Sequence, residues 1–233
     1  MKRPILIILV VLLADQALKF WVKLGFFLGE SVPLFGQGHD WAYLQFVENK
    51  GMAFGLEFGG EAGKVALTLF RMAAVLGIAY LLWKSVKDQR GPGLVVSLSL
   101  IFAGAMGNII DSAVYGLIFD ASTPFQKAVL FPAKGGYAPF LHGAVVDMFY
   151  FPLMHGRFPQ WLPLWGGEEY EFFRPVFNIA DAAISVGVVM LILVQRRAER
   201  QLRKPKPAAL PVEGNPPEKG DGSSPRKDHA CCG

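Results

Sequence analysis

The sequence predicts an all-helical membrane protein with four transmembrane helices, a small extramembrane β element, and both termini cytoplasmic. Three observations lead there. The 233 residues are 52% hydrophobic with a mean hydropathy of +0.35, too apolar for a water-soluble domain of this size. The apolar residues gather into four runs of about 20 residues, the length that crosses a bilayer core at about 1.5 Å per residue. Basic residues collect at the ends of these runs.

The first run, about 4–24, follows Met1-Lys2-Arg3 and has the outline of a secretory leader. Its apolar core passes into Ala14-Asp15-Gln16-Ala17-Leu18-Lys19 with no small-residue cleavage site close behind, so a retained helix is expected. The others are about 64–83, 94–116 and 176–194. Lys84, Lys87 and Arg90 fill the link between the second and third, and Arg196, Arg197, Arg200, Arg203 and Lys204 follow the fourth. The positive-inside bias puts that link and both termini in the cytoplasm.

Residues 25–63 and 117–175 then lie outside and are too long to be simple connectors. The first alternates through Trp41-Ala42-Tyr43-Leu44-Gln45-Phe46-Val47, which suggests a surface strand or hairpin. The second carries Phe149, Tyr150, Phe151, Phe158, Trp161, Trp165, Tyr170, Phe172 and Phe173, a composition suited to the headgroup level. Residues 1–195 are thus expected to form one membrane domain. Residues 196–233 read as a disordered basic tail, rich beyond Lys204 in Pro, Lys, Gly, Glu and Ser.

Several chemistries are excluded. The only cysteines, Cys231 and Cys232, sit at the C-terminus, so neither a disulfide framework nor a thiolate metal site is available in the body of the chain. The four histidines, His39, His142, His155 and His229, fall in loops or the tail. There is no His-Glu-x-x-His and no Gly-x-Ser-x-Gly. These absences leave no metal site to expect, and no nucleic-acid partner is expected, because the basic excess flanks apolar runs.

What remains is a set of polar groups that a bilayer makes expensive. Asp15 and Lys19 stand one turn apart and can neutralise each other. Helix rise places Asp15 near mid-membrane, Asp111 about 25 Å up the third helix, and Arg71 and Asp181 roughly 10 Å and 8 Å below the outer ends of theirs. Four helices thus bring polar side chains to the outer half. Gly104, Gly107, Asn108, Asp111 and Ser112 recur at spacings of three and four, which a close helix seam explains for the glycines but not for Asp111. Asn178 and Asp181 are three apart, so the amide can orient the carboxyl. Asp147 lies in the apolar run Val145-Val146-Asp147-Met148-Phe149. Two carboxyls meeting in a poorly solvated place share one proton, so one can activate water while the other polarises a carbonyl. Which acid joins Asp181 stays open on these grounds: Asp111 is favoured by helix geometry, Asp147 by its setting. A small proton-coupled membrane carrier using Asp15, Lys19, Arg71 and Asp111 is the alternative, weakened by an apolar cytoplasmic half.

Five blocks, in order, resemble bacterial lipoprotein signal peptidase (signal peptidase II): Asp15-Gln16 with Lys19, Asn49-Lys50-Gly51-Met52-Ala53-Phe54-Gly55, Gly107-Asn108-Ile109-Ile110-Asp111, Val146-Asp147-Met148, and Phe177-Asn178-Ile179-Ala180-Asp181. The resemblance covers about residues 5–194. It implies a cofactor-independent aspartyl protease of the bacterial cytoplasmic membrane, a monomer with its site toward the outer face. Its substrates would be prolipoproteins, cut before a diacylglyceryl-modified cysteine, and the antibiotic globomycin would be its inhibitor. It assigns catalysis to Asp147 and Asp181. Asn108, Asp111 and Asn178 would shape the site, Asp15, Lys19, Asn49 and Gly51 would support it or the substrate, and residues 25–63 would form a β-cradle. Two features depart from the family: Ser112 stands where an arginine usually follows the Gly-Asn-x-x-Asp block, and the interval from Gly116 to Asp147 is longer than usual.

Overall fold

The computed structural model describes residues 2–36, 41–50, 60–152, 154–157, 159–161, 163, 166–172 and 175–202. Four helices are long and apolar enough to cross a membrane. They are α1 (Lys2–Gly25), α2 (Gly60–Lys87), α3 (Pro92–Ile110) and α5 (Ile179–Leu202). A π-helical segment, Asp111–Tyr115, and the single turn α4 (Gly116–Ile118) prolong α3. The chain runs up and down, so α1 and α3 end where α2 and α5 begin. A three-stranded sheet lies at that end, below called the sheet end.

The boundaries differ from expectation at α5. Val176 to Asn178 are not helical, because Phe177 is bridged to Phe149 by backbone bonds of 2.8 and 3.0 Å in both directions. The helix starts behind a reciprocal cap: the Asn178 side chain accepts the Asp181 amide at 2.9 Å, and the Asp181 carboxylate accepts the Asn178 amide at 3.3 Å. At its other end α5 continues to Leu202, because Gln195 to Leu202 are mostly strong helix formers. The basic stretch assigned to the tail therefore begins as helix, and residues 203–233 lie outside the described residues.

The sheet has the order β1-β2-β3, all antiparallel: β1 (Ser31–Pro33), β2 (Tyr43–Asn49) and β3 (Val145–Tyr150). The expected cradle segment supplies only two of these strands. The third comes from Val145-Val146-Asp147-Met148-Phe149-Tyr150, β-branched and aromatic enough to pair where a loop was expected. Leu44 faces Phe149 and Val47 faces Asp147, so β2 has one extra residue between them, a bulge immediately beside Asp147. A separate hairpin joins β4 (Met154–Arg157) to β5 (Glu169–Phe172).

Strand alternation sends Val146 and Met148 into an apolar cluster with Val22, Leu44, Phe46, Tyr115 and Phe119, leaving Asp147 on the opposite face. Below the sheet, α3 and α5 are in backbone contact. A Cβ on Gly104 would stand 2.2 Å from the Ala180 carbonyl, and one on Gly107 would stand 2.8 Å from an Asp15 oxygen. The glycine stripe is a helix seam and also sets the distance between the polar groups on the two helices.

Gly104→Ala should therefore force α3 and α5 apart at a cost of about 1–3 kcal/mol, the range for overpacking. Gly77→Ala, where an added Cβ meets nothing within 4 Å, should leave the Tm of the detergent-solubilised protein unchanged or higher. Equal Tm values for the two variants would contradict the seam.

Candidate active site

Lys19 is completely buried, and its ammonium is shared by two carboxylates. The Nζ lies 2.9 Å from Asp15 Oδ2 and 2.7 Å from Asp111 Oδ2, and it donates to Asn108 Oδ1 at 3.0 Å. Gln16 Nε2 donates to Asp111 Oδ1 at 3.0 Å and to the Gly107 carbonyl at 3.3 Å, and Tyr115 Oη donates to Gln16 Oε1 at 3.1 Å. The other Asp15 oxygen accepts the Ala180 amide at 2.9 Å, satisfying one of the open amides in the first turn of α5. Asp111 Oδ2 also accepts the Val146 amide at 3.3 Å. This buried cluster joins α1, α3, α5 and β3. Among the described residues, no buried side-chain nitrogen or oxygen lacks a partner.

The second group grows out of the first. Asn178 Nδ2 donates to Asp147 Oδ1 at 2.7 Å, and lies 3.1 Å from Asn108 Oδ1 and 3.3 Å from the Val146 carbonyl. Asn108 Nδ2 donates to Asp181 Oδ1 at 2.8 Å. Asp147 and Asp181 are thus each held by an asparagine amide, and the two amides are bonded to each other. Burial first, and the charge of Asp181 second, push the Asp147 carboxyl up to about 7. Arg71 of α2 is half-buried, and the charges of Asp181 and Asp147 act on it.

The structure brings together Asp15, Lys19, Asn108, Asp111, Asn178, Asp147 and Asp181. It distinguishes Asp111 from Asp147: the Asp111 oxygens are taken by Lys19, Gln16 and Val146, whereas the Asp147 side chain faces Asn178 and the charge of Asp181. Asn49 ends β2 opposite Val145. Gly51 and the rest of its block through Gly55 lie outside the described residues. Ser112 turns its hydroxyl back to the Asn108 carbonyl at 3.0 Å, so no charge replaces the usual arginine at that position.

Three participants were given no role by the sequence, although Gln16 stands in one of the five blocks. Gln16 and Tyr115 complete the ion cluster, and an amide one residue from Asp15 inside a span was a readable signal. The third is Lys23, which continues the spacing Asp15, Lys19, Lys23. It is fully buried, ion-paired with Glu48 of β2 and bonded to Ser122 Oγ at 3.0 Å. The rings of Phe46, Phe119 and Tyr137 surround its ammonium at 5.0–6.0 Å.

Four helices able to span a bilayer, a short sheet at one end and two amide-held carboxyls beneath it describe a membrane aspartic peptidase. A family model described as signal peptidase (SPase) II matches residues 7–196. The chain is 50% identical over 192 residues to a lipoprotein signal peptidase of Porphyromonas gingivalis, covering 82% of this chain and 81% of that protein. It is 36% identical over 198 residues to a lipoprotein signal peptidase of Amoebophilus asiaticus, covering 84% and 78%. Two solved structures of bacterial membrane enzymes share the fold. One gives a TM-score of 0.57 at 21% identity, covering 90% of this chain and 96% of that one. The other gives 0.55 at 24%, covering 84% and 93%. The chain belongs to the signal peptidase II family, and it is an aspartic endopeptidase. Family membership does not favour the carrier alternative, and the enclosure of Asp15, Lys19 and Asp111 in one closed cluster gives no relay across the bilayer.

Lys19→Met should leave two enclosed carboxyls without their cation and cost about 3–5 kcal/mol. The double variant Lys19→Met/Asp111→Asn should recover part of that loss, because the two changes act on one cluster. Denaturant titration of the purified protein in detergent reads both, and strictly additive losses would break the cluster as described.

Proposed function

We propose that this chain removes signal peptides from prolipoproteins, cutting before a diacylglyceryl-modified cysteine, with Asp147 and Asp181 as the catalytic pair. The observation that carries the assignment is the amide bridge: Asn178 donates to Asp147 at 2.7 Å, and Asn108 donates to Asp181 at 2.8 Å. The asparagines orient both carboxyls without supplying a counter-charge, so the pair can keep one proton near neutral pH. The proton belongs to the pair, and burial favours the acid form of Asp147.

Asp181 then takes a proton from water, and the water oxygen bonds to the scissile carbonyl carbon. The proton on Asp147 passes to the carbonyl oxygen. The tetrahedral species collapses as the carbon–nitrogen bond breaks: the departing amine takes the proton from Asp181, and one of the two hydroxyls returns its proton to Asp147, which restores the pair. Arg71 of α2, on which the charges of both acids act, is the candidate for the positive charge that Ser112 lacks. Asp15, Lys19 and Asp111 hold the scaffold, and Asn49 and Gly51 serve the substrate side. No cofactor takes part.

The basic link between α2 and α3 and the basic end of α5 orient the protein with both termini in the cytoplasm. The sheet end then faces outward across the cytoplasmic membrane of a bacterium, where an exported precursor presents its cleavage site. The protein works as a monomer in lipid, residues 1–195 acting as the peptidase domain and the basic tail remaining outside it.

Asp147→Asn and Asp181→Asn should each lower kcat on a diacylglyceryl lipopeptide by about 10²–10⁴-fold while Tm and membrane insertion hold. Asp111→Asn should lower Tm and keep kcat in the folded fraction. Retention of kcat by either of the first two, or its loss from folded Asp111→Asn, would move the chemistry elsewhere.

Because the folded Asp147 carboxyl is raised to about 7, its acid form is complete well below that pH and is lost as pH rises through it. The rate should therefore fall on the alkaline side of about pH 7. A profile still flat two pH units higher, measured in detergent with a soluble lipopeptide, would remove Asp147 as the acid.

A further inference from the structure

The insertion between α4 and β3 has an inside and an outside. Inside, Phe119, Ser122, Ala128 and Tyr137 pack towards Lys23 and the apolar cluster beneath the sheet. Outside, Phe125, Phe131 and Phe140 are 92%, 73% and 57% exposed. A well-packed segment that leaves three phenyl rings uncovered needs something to cover them.

Their height follows from the backbone. The insertion is laced to the end of α3: the Phe131 amide bonds the Ile118 carbonyl at 2.7 Å, Ala138 bonds Gly116 at 3.0 Å, Leu141 bonds Ala113 at 3.4 Å and Gly143 bonds Ser112 at 2.8 Å. Ala113 lies five residues before Ile118, about 7 Å down the helix at 1.5 Å per residue. Phe140, next to Leu141, therefore stands beside the span rather than above it. On the other side, the Leu28 amide bonds the Thr123 carbonyl at 3.1 Å, and Lys127 Nζ sits 4.9 Å from the Phe27 ring. Phe125 is thereby fixed just past the end of α1. Phe125 and Phe131 thus stand where the helices end, and Phe140 stands a little further down their flank.

A second observation concerns Phe131 itself. Its φ is +53°, in the left-handed region that glycine or asparagine adopts far more readily than a bulky residue. A polar residue at that position would suit both this backbone and water, so the aromatic ring must serve some other contact.

We propose that the insertion is a membrane contact in its own right: Phe125, Phe131 and Phe140 lie in the boundary between acyl chains and headgroups of the leaflet on the sheet side. The occupant is lipid because the patch continues the apolar flank of the spans, where Trp21 and Leu117 are 57% and 47% exposed. Lys127 and the exposed Lys134 flank the rings, as suits phosphate headgroups. Aromatic rings favour this depth. Held there, the insertion fixes the height of the sheet, and of the carboxyls beneath it, relative to the bilayer. The inference rests on the four helices crossing a bilayer and not on the chemistry of the site.

Spin labelling tests it. With Cys231→Ser and Cys232→Ser removing the native thiols, single variants Phe125→Cys, Phe131→Cys and Phe140→Cys carry a nitroxide in vesicles of phosphatidylethanolamine and phosphatidylglycerol. Leu76→Cys, on an exposed face of α2, is the lipid reference, and Lys134→Cys is the water reference. Collisions with dissolved oxygen, which concentrates in lipid, should dominate at the three insertion sites as at position 76. Collisions with a water-soluble nickel chelate should dominate at position 134. Nickel-dominated relaxation at the three sites with an oxygen-dominated position 76 would overturn the proposal. So would low access to both reagents, which would mean a second copy covers the rings. Nickel access at position 76 as well would overturn the spanning assignment beneath it.

Discussion

The ammonium of Lys19 can be satisfied only if three helices meet at one point. It lies within 3 Å of carboxylates on α1 and α3, and the α1 carboxylate in turn takes an amide from the first turn of α5. In a low-dielectric interior, an ion with a missing partner is far more costly than one fully paired. The cluster thus sets the rotation of α1, α3 and α5 about their axes. Gly104 and Gly107 let α3 and α5 approach closely enough for it to close.

The neighbouring carboxyls inherit their positions from that closure. Asn108 accepts from Lys19 through its oxygen and donates to Asp181 through its nitrogen. Asn178 caps α5 with its oxygen and reaches Asp147 with its nitrogen. Each amide thereby has one end in the scaffold and the other on an acid. The sheet completes the arrangement, since Phe149 and Phe177 bridge β3 to the residue before the cap and the bulge in β2 lies beside Asp147. Acids from distant parts of the chain are therefore positioned by rigid elements, as preorganised chemistry requires.

Much of this was legible in the sequence, for local reasons. Four long apolar runs become four helices because length and hydropathy suffice. Asp15 and Lys19 pair because they are one turn apart, and Asn178 meets Asp181 because three residues separate them. Contacts that depend on tertiary structure were hidden. Asp111 joins Lys19 only once α3 is packed on α1. Residues Val145 to Tyr150 were expected as loop: their β-branched and aromatic composition suits a strand, but the edge that pairs with them, β2, lies far away in the sequence. The burial of Lys23 against Glu48 and Ser122 joins three separate stretches, although its spacing from Lys19 placed it on the same face.

The π-helical turn at Asp111–Tyr115 does not stand alone. The carbonyls of Ser112, Ala113 and Gly116 receive amides from Gly143, Leu141 and Ala138, and a Cβ on Gly143 would stand 2.2 Å from the Asp111 carbonyl. Excising the extra segment would take those donors away from carbonyls near hydrocarbon, where water is scarce. The long connection is thus not an ornament hung on a finished enzyme. Any shortening of it acts directly on the helix that carries Asn108 and Asp111.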